Sequence, residues 1–317
     1  MNLLDVYKEL NTEAKCLAFL EHMRWPDGVK CLACNCSNIT AITAKGKLNK
    51  KTGKRSPDRE LYQCNDCRFQ FTATTGTVYH DTHLPLHKWF LAIALITESK
   101  KGISANQLKR ALGVQYRTAW YLAHRIRKAM VDANAPKLRG IVEVDETYIG
   151  GKQRGHRSKL KNKDVVIGVR ERGGQVRYVH TPDNKADTIY QVIADHVSKD
   201  AQGIMTDENP SYNFEFTQFR NVPHKTIKHK DKIYVRGDVH TNTVESAFSL
   251  FKRGLNGAFH KVSLKHLQRY LNEFSFRFNN RKAPDLFGMT VARMAKVGAM
   301  PYAKLVEENA FTQFVRP

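Results

Sequence analysis

Residues 140–151 read GIVEVDETYIGG. Val142 and Val144 alternate with Glu143 and Asp145, and a period of two puts the valines on one face of a strand and the acids on the other. The stretch DVVIGVRERGGQVRYVHT (164–181) then reads as two strands joined at Arg172–Gly173–Gly174–Gln175. KADTIYQVIADHVS (185–198) has helical periodicity, GIMTDE (203–208) is a short apolar strand ending in acid, and VPHKTIKH (222–229) is a candidate further strand. HTNTVESAFSLFKRG (240–254) is a helix with Val244, Phe248, Phe251 and the following Leu255 on one face, and Glu245 and Lys252 on another. SLKHLQRYLNEFSFRFNNR (263–281) is a long amphipathic helix, with Leu264, Leu267, Leu271, Phe274 and Phe278 in line and Ser263 placed as N-cap.

The order βββαβ followed by a helix is that of an RNase H-like fold, where neighbouring central strands bring two aspartates together and a later helix adds a third carboxylate. Asp145 ends the strand IVEVD, Asp207 ends GIMTD, and Glu245 lies on the helix, with 61 and 37 residues in the two gaps. Three carboxylates around one point repel one another unless cations neutralise them. Two Mg²⁺ ions about 4 Å apart do so, and also activate an attacking oxygen and stabilise a leaving oxygen at phosphorus. Each acid has a rival reading. Glu143 and Glu146 flank Asp145, Glu208 follows Asp207, and Glu245 also suits a surface acid paired with a nearby lysine. Asn242 lies one turn before Glu245 and is placed to add a ligand or hydrogen bond. Lys252 lies two turns beyond Glu245, where it either meets a phosphate or is simply solvated.

The formal net charge is +22, from 52 Lys and Arg against 30 Asp and Glu, spread over the 317-residue chain. Such an excess repels itself in the compact state and calls for a polyanionic partner, nucleic acid before an anionic membrane. The N-terminus MNLLDVYKELNTEAKCLAFLEHM is amphipathic and mixed in charge, unlike a secretory signal, with Leu4, Tyr7, Leu10, Ala14 and Leu17 at the spacing of one helix. The longest apolar run, WFLAIALI (89–96), is too short to span a bilayer. The expectation is a soluble, cytoplasmic, nucleoid-associated protein with no membrane partner.

Four of the six cysteines form two CxxC pairs, Cys31/Cys34 and Cys64/Cys67. In a reducing compartment two such knuckles close a tetrahedron around one structural Zn²⁺. The long polar, basic stretch between them reads as an extended hairpin or loop. Cys36 is a nearby competing ligand, and Cys16 reads as a small core hydrophobe. From Leu86 the period turns helical. GISANQLKRALGVQYRTAWYLAHRIRKAM (102–130), with a turn at Leu112–Gly113, suits a helix-turn-helix. Gln115, Tyr116, Arg117 and Thr118 then begin the recognition helix, Arg125 lies further along it as a DNA contact, and Ala119, Leu122, Ala123 and Ile126 face inward. An ordinary helical hairpin is the plainer reading.

CLAC…CNDCRFQFTATTGTVYH, EVDETYIGG, TDENPSY and HTNTVESAFSLFKRGLNGAFHKVSLKHLQRYLNEFSFRFNNR together resemble a bacterial insertion-sequence transposase of the DDE superfamily, from the group with an N-terminal zinc ribbon. The resemblance covers roughly residues 20–285, and the last motif is the most specific. It implies an α/β multidomain chain: helix and zinc ribbon over 1–85, helix-turn-helix over 86–136, RNase H-like catalytic core over 137–285 and a tail over 286–317. It implies Asp145, Asp207 and Glu245 as the acidic triad, with Lys252 and Arg253 at DNA. The cofactors implied are two Mg²⁺ (or Mn²⁺) per active site and one structural Zn²⁺ per chain. The activity implied is binding of terminal inverted repeats, cleavage by water to free a 3′-OH, and attack of that hydroxyl on target DNA. No protein nucleophile is needed, though Tyr148 stands near Asp145. Pairing two double-stranded ends implies a homodimer or higher synaptic complex. A catalytically silent DNA-binding regulator and a nuclease without strand transfer are the other classes.

Overall fold

The computed structural model describes residues 1–46, 48, 53, 55, 59–132, 134–150, 164–212, 217–227 and 240–307. The elements are α1 (Leu3–Glu9), α2 (Glu13–Arg24), β1 (Ile39–Ala44), β2 (Arg59–Cys64), β3 (Gln70–Phe71), α3 (Leu86–Glu98), α4 (Ala105–Leu112), α5 (Tyr116–Ala129), β4 (Ile141–Ile149), β5 (Asp164–Glu171), β6 (Val176–Thr181), α6 (Ala186–His196), β7 (Gly203–Asp207), β8 (His224–Ile227), α7 (Asn242–Gly254), α8 (Leu267–Asn279), α9 (Leu286–Lys296) and α10 (Tyr302–Glu307). They divide into two compact units, Met1–Ile96 with Leu108–Ala129 and Asp285–Pro301, and Thr97–Gln107 with Met130–Pro284 and Tyr302–Pro317. This division cuts across the consecutive segments expected from sequence. The helix-turn-helix stretch is shared between units, and the expected tail holds two helices.

In the first unit β1, β2 and β3 form an antiparallel sheet. The hairpin expected across 41–60 is present in its stem, and most of its tip lies outside the described residues. Trp25, Tyr62 and Phe71 pack edge-to-face or tilted beneath it, next to buried Cys31 and Cys64. The N-terminal residues form two helices rather than one, because Thr12 caps α2 by accepting from Lys15 N. The break shifts the phase: Val6, Leu10, Cys16 and Leu20 are buried, while Leu4 and Tyr7 are exposed. Gly113 (φ 61) ends α4, and Val114 N donates to Lys109 O, closing the helix end as a Schellman turn. α9 buries Phe287, Val291 and Met294.

In the second unit the sheet order is β6-β5-β4-β7-β8; β4, β5 and β6 are antiparallel neighbours, and β7 runs parallel to both β4 and β8. The βββαβ order expected from sequence is present. One face is covered by α6 and buries Val142, Val144, Ile167, Val169 and Ile204. The other is covered by α7 and α8 and buries Val166, Tyr178, Val244, Phe248, Phe251, Leu271 and Phe274. A 3₁₀ turn precedes α8, so Ser263 makes no side-chain cap and Leu264 is exposed rather than in line with Leu267. β6 is an edge strand whose outward backbone groups are met by amides of α8. Asn279 accepts from Val176 N (2.8 Å) and donates to Val176 O (2.9 Å), while Gln268 accepts from His180 N (2.7 Å) and donates to Tyr178 O (2.9 Å). Among the described residues no helix is long and apolar enough to cross a membrane.

Close approach of α7 to the sheet depends on Gly168 in β5. A Cβ there would stand 2.5 Å from Phe248 Cζ and 3.0 Å from Val244 Cγ2. Gly168→Ala should therefore lower unfolding stability by about 1–3 kcal/mol through overpacking. A urea midpoint equal to wild type would show that α7 yields without cost.

Candidate active site

Along β4, Glu143, Asp145 and Ile149 share the face covered by α7 and α8. The parallel ladder with β7 has Glu143 opposite Met205 as its last pair. Two residues further along each strand are Asp145 and Asp207, on that same face. Asp207 ends β7, as expected. Asp145 is mid-strand, not terminal, because β4 stays paired with β5 as far as Ile149 after the ladder with β7 has stopped.

Glu245 occupies the first turn of α7, where Thr241 Oγ1 donates to its Oε1 at 3.0 Å. Asp145 feels the acids around it. Burial first, then the charges of Glu146, Asp207 and Glu245, push the Asp145 carboxyl up to about 7. Among the described residues, the groups of His, Cys, Asp and Glu whose ligand atoms all lie within 4.8 Å of one another are cysteine sets. Asp145, Asp207 and Glu245 do not form such a group.

The rival acids have other partners. Glu143 is fully buried, and its Oε2 accepts from Thr243 N (2.9 Å), Val244 N (3.1 Å) and Thr243 Oγ1 (2.7 Å). Its Oε1 accepts from Arg172 Nε (2.7 Å) and lies 3.1 Å from His240 Nδ1. Thr241, the N-cap of α7, makes no side-chain cap bond. A strand carboxylate therefore caps the helix that carries Glu245, with its charge at the positive end of the helix dipole. Arg172 also donates to His240 O (3.0 Å), and Arg170 to Thr243 O. Glu146 accepts from Asn209 Nδ2 (2.7 Å) and Tyr212 OH (2.6 Å), and Asn209 N donates to Asp207 Oδ1 (3.1 Å). Glu146 thereby ties the turn after β7 to β4 beyond their last backbone pair. Burial and the neighbouring acids raise the Tyr148 phenol, opposite to what a nucleophilic phenolate requires.

Residues 137–279, which contain all three acids, match the ISXO2-like transposase domain, and residues 11–70, which contain both CxxC pairs, match the transposase zinc-ribbon domain. The chain thus carries a transposase domain and a transposase zinc ribbon. A protein of Halobacterium salinarum, described as an uncharacterized protein in transposable element ISH50, is 28% identical over 287 residues, covering 85% of this chain and 92% of its own. These matches support a transposase role.

In the transposase zinc ribbon, the sulfurs of Cys31, Cys34, Cys64 and Cys67 lie within 4.8 Å of one another, two buried and two exposed. Such a set fits tetrahedral zinc. Ala33 N donates to Cys31 Sγ (3.4 Å) and Cys67 N to Cys64 Sγ (3.3 Å). The Cys67 amide is the largest influence drawing the Cys64 thiol down to about 6, toward the thiolate a metal takes. Buried Cys16 instead donates to Leu10 O, and its thiol is pushed up to about 12 by burial.

Of the residues expected at DNA, Gln115, Arg117 and Thr118 are exposed at the start of α5, and Lys252 and Arg253 are exposed in the last turn of α7. Arg125 is a correction. It is buried, its guanidinium lies over the Trp89 and Tyr121 rings, and it donates to the carbonyls of Val78 and His80. The second half of α5 is enclosed on nearly all sides, so no DNA-facing stripe continues that far. Glu143, Glu146 and Gly168 are the residues whose roles the sequence did not disclose. A charged residue inside IVEV signals a buried partner, but not which one.

Glu143→Gln should cost about 1.5–3 kcal/mol, the worth of charged hydrogen bonds at a buried site. The Thr243 and Val244 amides should lose hydrogen-exchange protection. Unchanged stability with both amides still protected would show that the cap is dispensable.

Proposed function

We propose that the chain is a DNA transposase that binds the terminal inverted repeats of an insertion sequence, cleaves at its ends and joins the 3′-OH to target DNA. The observation that carries this reading is the parallel pairing of β4 with β7, which sets Asp145 and Asp207 on the sheet face covered by α7, the helix whose first turn holds Glu245; burial and then the charges of Glu146, Asp207 and Glu245 raise the Asp145 carboxyl. A carboxylate surrounded by acids favours a cation, and an all-oxygen donor set suits Mg²⁺ or Mn²⁺ over softer metals. Asp145, Asp207 and Glu245 would hold two such ions. When bound, they supply Lewis-acid stabilisation of charge at the phosphorus and its attacking and leaving oxygens.

Around that site, Glu146 and Asn209 orient Asp207, and Glu143 fixes the helix that carries Glu245. Lys252, two turns along α7 from Glu245, and the adjacent Arg253 contact DNA phosphates. Gln115, Arg117 and Thr118 read base edges in the element's ends. The ribbon binds one zinc and supports end recognition. The RNase H-like strand order, RNase H-type acids and excess positive charge fit one chain acting on double-stranded DNA in the cytoplasm, at the nucleoid. Two ends held together require at least a homodimer.

The deciding experiment mixes the protein, Mg²⁺ or Mn²⁺, a labelled duplex of the element's own end and a supercoiled plasmid. Wild type should yield joined product. Asp207→Asn and Glu245→Ala should keep end binding and lose joining by more than the about 10–100-fold that loss of a supporting bond to a metal ligand costs. Binding with no strand breakage, even by wild type, would favour the regulator. Hydrolysed ends never joined would favour a nuclease.

DNA affinity should fall steeply with salt, by about 0.9 log unit per log unit of salt for each phosphate contact. Replacing both Lys252 and Arg253 by Ala should make that slope shallower by about 2. An unchanged slope would remove the end of α7 from the DNA interface.

A further inference from the structure

The ribbon holds one sulfur more than a tetrahedral zinc ion takes. Cys36 is half-buried, and its Sγ lies 3.2 Å from Cys64 Sγ, closer than the 3.6 Å between Cys34 Sγ and Cys64 Sγ. Cys36, Cys64 and Asp66 also offer ligand atoms within 4.8 Å of one another. The backbone fixes this placement. Cys31 N donates to Cys36 O (2.9 Å), just as Cys64 N donates to Phe69 O (3.0 Å) in the second knuckle. Asn35 and Arg68 hold matching left-handed conformations, φ 62 and φ 61, immediately before these two residues. Cys36 and Phe69 are therefore equivalent positions of two pseudo-symmetric knuckles. Phe69 is exposed and stacks on Phe71, whereas Cys36 turns its sulfur toward the cluster.

We propose that Cys36 is an alternate zinc ligand that exchanges with Cys34 in the four-thiolate shell. The proposal rests on the zinc reading of the ribbon. Cys31-x₂-Cys34 and Cys31-x₄-Cys36 both fall within the C-x₂₋₄-C spacing that holds zinc. Cys34 is the exposed member of its pair, so it is the ligand of the first knuckle more open to displacement. In the exchange, Cys36 gives its proton to solvent as its bond to zinc forms. Cys34 takes a proton up as its own bond breaks. No redox partner is consumed. A ribbon built this way keeps its metal when Cys34 is alkylated or oxidised.

The test uses the full chain as wild type, Cys34→Ser, Cys36→Ser and the double variant. It measures zinc content and, after Co²⁺ substitution, the thiolate-to-cobalt absorption. Wild type and both single variants should each hold one metal per chain. The double variant should lose it, or bind at least tenfold more weakly. Cys34→Ser that loses metal as fully as the double variant would overturn the proposal. A wild-type chain without metal would overturn the zinc reading, and the proposal with it. Brief iodoacetamide labelling of zinc-loaded wild type needs no variant. Mass spectrometry should find one label per chain, shared between Cys34 and Cys36. Label on Cys36 alone would overturn exchange.

Discussion

The geometry of the acidic site depends on one buried carboxylate. Glu143 has lost its water, and a lone charge in that position would be costly. Two helix N–H groups, the Thr243 hydroxyl and the Arg172 guanidinium replace the water. The same bonds satisfy the first turn of α7, which has no cap of its own. Glu245 lies one and two residues past the two amides that Glu143 holds, and Asp145 lies two residues past Glu143 on the same strand face. Strand β4 thus supplies one acid directly and sets the position of another through a neighbouring side chain. Gly168, paired with Asp145 across β5, leaves the gap into which Phe248 and Val244 fit. Two positions with no chemistry of their own decide how close the helix comes.

Much of this was legible in the sequence, for identifiable reasons. The period-two alternation of Val142 and Val144 with Glu143 and Asp145 is local, and so are the Gly-Gly turn between β5 and β6 and the paired CxxC knuckles. Each survives folding because tertiary contacts agree with it. The failures occurred where a distant partner changed the outcome. Leu4 and Tyr7 read as an apolar stripe, but the cap at Thr12 divides the helix and moves burial to Val6 and Leu10. Arg125 read as a basic surface residue until Trp89, Tyr121 and two carbonyls of a preceding loop were placed around it. Glu143 and Glu146 were indistinguishable from Asp145 as acids. Only their partners, about 100 and 63–66 positions away along the chain, separate structural from candidate catalytic roles.

The two candidate metal centres solve opposite problems. In the ribbon, backbone amides pointing at the sulfurs of Cys31 and Cys64 lower those two buried thiols toward the thiolate. In the acidic site, burial and the neighbouring acids raise the Asp145 carboxyl, an environment that favours a cation's charge. The first arrangement suits a resident structural ion. Under the function proposed above, the second suits ions that arrive with a phosphate substrate, whose own charge they help to balance.

The amides of Gln268 and Asn279 along β6 have a consequence for assembly. They occupy Val176 N and O, Tyr178 O and His180 N, groups with which an edge strand would recruit another strand. Side-chain amides of the neighbouring helix thus blunt the sheet on that side. A second copy of the chain meets little there with which to extend the sheet, and an unfolded neighbour finds a poor template along that edge.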